Sequence, residues 1–99
     1  MKIEAVYCKK GILRYISHLD IVRLFQRAVR RAGLPVSLSQ GYNPRYRISF
    51  KGALKLGLES SNEDIIFSMD KDVDPDGFRY MINEKLPEGI KVTGCKRKS

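Results

Sequence analysis

The segment "ISHLDIVRLFQRAVRRAG" (Ile16–Gly33) carries an apolar face and a basic face at the same helical period. At about 100° per residue, Ile21, Val22, Leu24, Phe25, Ala28, Val29 and Ala32 share one broad apolar side. Arg23, Arg27, Arg30 and Arg31 fall opposite, together with Asp20. Ser17 followed three residues later by Asp20 has the form of a capping box. In it the serine accepts the Asp20 amide and the Asp20 carboxylate reaches back to the Ser17 amide. Gly33 supplies a left-handed C-cap and Pro35 blocks continuation, so a helix is predicted over residues 19–32.

Working outward, "KIEAVYC" (2–8) alternates and reads as a strand, "KKG" (9–11) as a turn, and "ILRYIS" (12–17) as extended chain or the second strand of a hairpin. Beyond the helix, "PVSLS" (35–39) reads as a short strand, "QGYNPRY" (40–46) as a loop and "RISF" (47–50) as a strand. Residues 51–62 are irregular, with Gly52 and Gly57 permitting tight turns, and "EDIIFSMD" (63–70) is a further strand. A second helix is predicted over 72–89, with Asp74 as N-cap, Pro75 at its first position, and Phe78, Met81, Ile82 and Leu86 as its apolar stripe. "IKVTGCKRK" (90–98) closes the chain as a strand. Two strand–helix–strand units with both helices on one face of an antiparallel sheet give an α+β, ferredoxin-like sandwich. Residues 1–99 form one domain without linkers or repeats.

Charge is distributed unevenly. Residues 1–51 hold eleven Lys/Arg against Glu4 and Asp20, a net of +9, whereas residues 52–99 hold eight against nine acids, a net of −1. A basic half on a small domain points to a polyanionic partner, nucleic acid first. No apolar run approaches a membrane span, and the N-terminus lacks the apolar core of a secretory signal, so the expected location is the cytoplasm without membrane attachment. Cys8 and Cys95 have neither disulfide-framework nor zinc-site spacing and read as reduced thiols at opposite ends of the sheet. Asp70, Asp72, Asp74 and Asp76 resemble a calcium loop only in their alternation. The sixth-position glycine is missing and Met81 stands where the closing glutamate belongs, so no metal and no cofactor is expected.

Two constellations bear on function. His18, the single histidine, sits at the first helical position beside the arginine face. As a neutral imidazole it is a candidate general base for a ribose hydroxyl. No second histidine is present to serve as acid, and Tyr15, Tyr42 or a lysine would need a large shift to replace it. The alternative is a ring packed at the sheet edge or bonded to a nearby carbonyl. The second constellation, "SQGYNPRYRISFK" (39–51), offers Gln40, Tyr42, Asn43, Arg45, Tyr46, Arg47 and Lys51. Aromatic faces stack bases, arginines grip phosphates, and amides read base edges.

Over "LRYISHLD" (13–20), "RRAGLP" (30–35) and "SQGYNP" (39–44) the chain resembles the radical SAM-linked protein family, a bacterial domain of unknown function, with a looser match through "LKLGLES" (54–60). The family's domain is usually longer, so the likeness is to its N-terminal part. Members often carry His-Pro after Asn-Pro, where Arg45-Tyr46 stand here. The resemblance implies a place beside a radical SAM enzyme in RNA modification or processing. The architecture also resembles that of CRISPR repeat-processing endoribonucleases, a fold-level analogy that transfers no active site.

The expected function is a non-catalytic RNA-binding accessory domain for an RNA of the tRNA or rRNA class. Arg14, Arg23, Arg27, Arg30 and Arg31 would hold phosphates and the 40–47 loop would hold bases. Two alternatives stand beside it: a metal-independent endoribonuclease using His18, and a module docking onto a radical SAM partner.

Overall fold

A computed structural model describes residues 1–51 and 60–98. Its elements are β1 (Lys2–Lys9), a 3-10 turn (Gly11–Tyr15), α1 (His18–Ala32), β2 (Ile48–Phe50), β3 (Ser60–Ser68), α2 (Pro75–Lys85) and β4 (Ile90–Lys98). The sheet order is β2-β3-β1-β4 with every neighbouring pair antiparallel. Alternation along β1 turns Ile3, Ala5 and Tyr7 to the core, where they meet Ile65 and Phe67 of β3, Ile21, Phe25 and Val29 of α1, and Phe78 and Ile82 of α2. Both helices therefore cover one face of the sheet, and the fold is the expected α+β sandwich consistent with ferredoxin-like topology.

Aromatic rings concentrate at the α1 side of this core. Phe25 meets Tyr7, Phe50 and Phe67 at centroid separations of 5.0, 5.7 and 6.2 Å. Burial, with Glu63 adding to it, raises the Tyr7 phenol well above its ordinary range.

Several local expectations change. Residues 12–17 do not form a strand: Gly11, at φ 66°, turns the chain out of β1, and Leu13 and Ile16, three apart, pack on the core at the period of a 3-10 turn. Lys9 belongs to β1 rather than to a turn and is fully buried, donating through Nζ to the Arg14 carbonyl at 3.2 Å. Residues 35–39 make only isolated bridges, Val36 to Met69 and Leu38 to Tyr46, because each residue reaches a different neighbour. α2 is shorter than the predicted 72–89, since Asp72 is drawn to Arg97 at 2.9 Å and Pro87 follows its end. Met81 lies outside the buried stripe of α2 at 42% exposure. Gly52 and Gly57 lie outside the described residues. Cys95 pairs with Ala5 and Cys8 with Lys91, and both thiols are free; burial pushes Cys95 up to about 11.

Candidate nucleic-acid interface

The basic face is built on the frame of α1. Ser17 Oγ accepts the Asp20 amide at 3.1 Å, while the Asp20 carboxylate turns to Arg23 at 3.6 Å instead of reaching back to Ser17. Only half of the predicted box thus forms, and the acid contributes to the helix start through its charge. At the other end, Gly33 adopts φ 67°, and the Gly33 and Leu34 amides donate to the Arg30 and Val29 carbonyls. Between these caps Ile21, Phe25, Ala28 and Val29 are buried, which fixes Arg23, Arg27, Arg30 and Arg31 on the exposed side.

The loop returns to this face. Arg45 and Pro44 meet Arg23, Gln26, Arg27 and Arg30 around an open groove of about 290 Å³. Gln26 holds the two elements together: its Nε2 donates to the Tyr46 carbonyl at 2.8 Å, and its Oε1 accepts the Tyr46 amide at 2.9 Å. The Ser39 hydroxyl also accepts the Arg45 amide. The sequence carries no signal for Gln26, because a glutamine at the border of the apolar and basic faces fits solvent equally well. Arg23 pairs with Asp20, whereas Arg27, Arg30 and Arg45 form no ion pair with a described residue and carry uncompensated charge.

The remaining candidates separate from the groove. Arg31 is exposed on α1 but does not line it. Arg14 is engaged locally, with its guanidinium over the Tyr15 ring at 4.6 Å and bonded to the Tyr15 hydroxyl and the Gly11 carbonyl. Gln40, Tyr42 and Asn43 are exposed at the loop tip, and Tyr42 is fully so. Tyr46 packs against the core and offers no free face of the kind exposed Tyr42 does. Arg47 alternates with the core-facing Tyr46 and Ile48 and so points toward the sheet face away from α1, and Lys51 is exposed in the bend that follows β2.

His18 begins α1 about 140° around the helix from Arg23. Its ring stands edge-on to Phe50 at 5.3 Å, and its Nδ1 is buried without a hydrogen-bond partner among the described residues. The four aspartates of residues 70–76 each have a separate role. Asp70 accepts the Ser37 hydroxyl, Asp72 pairs with Arg97, Asp74 caps α2 and Asp76 faces Arg79. No helix among the described residues is long and apolar enough to cross a membrane.

No curated protein matches the chain. One protein-family model does, described as an uncharacterized protein conserved in bacteria (DUF2344), and it spans residues 2–99. That match takes in β1, α1 with its arginines, the Gln26-held loop and β4, so the chain belongs to this bacterial family along almost its whole length.

Proposed function

We propose that this chain is an RNA-binding accessory domain that performs no chemistry of its own. The observation that carries the reading is the groove in which Arg23, Arg27, Arg30 and Arg45 converge, three of them without an acidic partner among the described residues. Convergent, uncompensated guanidinium groups bind phosphates through paired hydrogen bonds and release counterions on doing so. Exposed Tyr42 with Gln40 and Asn43, at the tip of the loop that brings Arg45 to the groove, supplies a stacking face and base-edge donors. The packing of His18 on Phe50, with Nδ1 buried, favours a structural role for that ring over proton transfer. In this reading, which the resemblance to radical SAM-linked proteins supports, the domain stands beside such an enzyme and presents RNA to it.

The test is fluorescence anisotropy of labelled single-stranded RNA with the purified chain in EDTA, across about 50 to 200 mM salt. Four groove contacts give a log–log slope of about −3 on single strands. Bound, uncleaved RNA with that slope supports the reading. Absent or salt-insensitive binding overturns it and assigns the groove to an acidic protein surface, and RNA cleavage lost in His18→Ala makes the chain a nuclease.

A further inference from the structure

Arg23 and Arg27 are walls of two grooves at once. On one side lies the arginine groove, and on the other an open groove of about 390 Å³ floored by Leu13, Ile16, Leu24 and Pro87. The second groove has one acidic side chain, Asp20. Its volume falls in the range of about 300–1,000 Å³ typical of small-ligand sites, which combine apolar walls with a few placed polar groups.

We infer that this apolar groove is a subsite for one unpaired nucleobase bearing an exocyclic amino group, on the same strand whose phosphates lie in the arginine groove. The inference rests on the RNA-binding reading and adds base selectivity to it. The shared walls carry the argument. A strand held by Arg23 and Arg27 through its phosphates has its neighbouring base within reach of the other side of those two residues. Planar guanidinium groups stack on bases, and the aliphatic floor receives the opposite face. A protein segment has less claim on the site, because two of its walls are cations already committed to the phosphate groove.

Asp20 sets the selectivity. Its Oδ1 is 3.6 Å from Arg23 Nη1, beyond hydrogen-bond distance, and its side chain is 53% exposed at the groove edge. The carboxylate therefore retains acceptor capacity. Cytosine offers it an amino donor, as carboxylates accept from cytosine N4 elsewhere. Uracil turns a carbonyl oxygen to the same place and is repelled. The Ser17 cap bonds the Asp20 backbone amide and not its side chain, so Asp20→Asn leaves that cap in place and removes only the carboxylate charge from the helix start.

The experiment compares labelled oligocytidine, oligouridine and an abasic ribose-phosphate strand of equal length against the purified chain, at several salt concentrations. Oligocytidine binds about ten-fold tighter than oligouridine, the range of one charge-assisted hydrogen bond. In Asp20→Asn, with a folded circular-dichroism spectrum, that ratio falls to near one, because an amide offers either base a partner. Equal affinity for all three strands, with the salt slope retained, overturns the subsite while leaving phosphate binding intact. A preference for oligocytidine that survives Asp20→Asn overturns the role given to Asp20. Binding to none of them removes the RNA reading and this inference with it.

Discussion

Gln26→Met keeps the length and approximate volume of the side chain and removes both hydrogen bonds to Tyr46, at 2.8 and 2.9 Å. The Tyr46 amide and carbonyl then lose their partners in a half-buried site. At about 1 kcal/mol net for each bond, the domain loses about 2 kcal/mol. For a chain of this size that lowers the melting temperature by about 10 °C. The functional effect is separate from the stability effect. Arg45 stands next to Tyr46, so freeing the loop withdraws one of the four groove cations from its register. At about 0.7 per phosphate contact, the salt slope for single-stranded RNA moves from about −3 to about −2. Urea denaturation followed by circular dichroism reads the first quantity and anisotropy titrations at several salt concentrations read the second. A variant within about 0.5 kcal/mol of wild type, the range of an ordinary surface change, with an unaltered slope refutes the claim that Gln26 holds the loop to the helix.

Arg27→Gln reduces the salt slope by about 0.7, whereas Arg47→Gln, on the opposite side of the sheet, leaves it unchanged. Equal effects in paired titrations would mean that RNA does not distinguish the two faces. His18→Phe keeps an aromatic ring against Phe50 and removes a buried nitrogen that lacks a partner. It raises stability by about 1 kcal/mol with RNA affinity unaltered, and a fall in the urea midpoint instead would show that Nδ1 has a partner. Gly89→Ala destabilises by about 2 kcal/mol. Gly89 has φ 100° and a Cβ there would lie 2.8 Å from the Lys10 carbonyl, so a thermal melt matching wild type would contradict that backbone geometry.

Asp74 and Pro75 show how local chemistry reads directly: the aspartate accepts the Gly77 amide at 3.0 Å and the proline occupies the first turn of α2. The 3-10 turn does not read locally, because "ILRYIS" has a strand-like composition and its conformation follows from where Gly11 and the buried Lys9 place it. The groove was legible in part. Its three helical arginines follow from the α1 wheel, while Gln26 carries no signal distinguishing a clamp from a solvated amide.

What the sequence determined by itself is therefore whatever depends on neighbours a few residues away. That covers the amphipathic α1 between Ser17 and Gly33, the α2 cap, the alternation of β1, and the concentration of positive charge in the first half of the chain. Tertiary structure alone decided which cations stand together. Arg45 and Arg47 are two residues apart, yet the core-facing Tyr46 and Ile48 send Arg47 to the far side of the sheet, and the Gln26 contact, twenty residues distant in the chain, keeps Arg45 in the α1 groove. Periodicity sets the face on which a side chain emerges, but only packing between distant segments sets what that face meets.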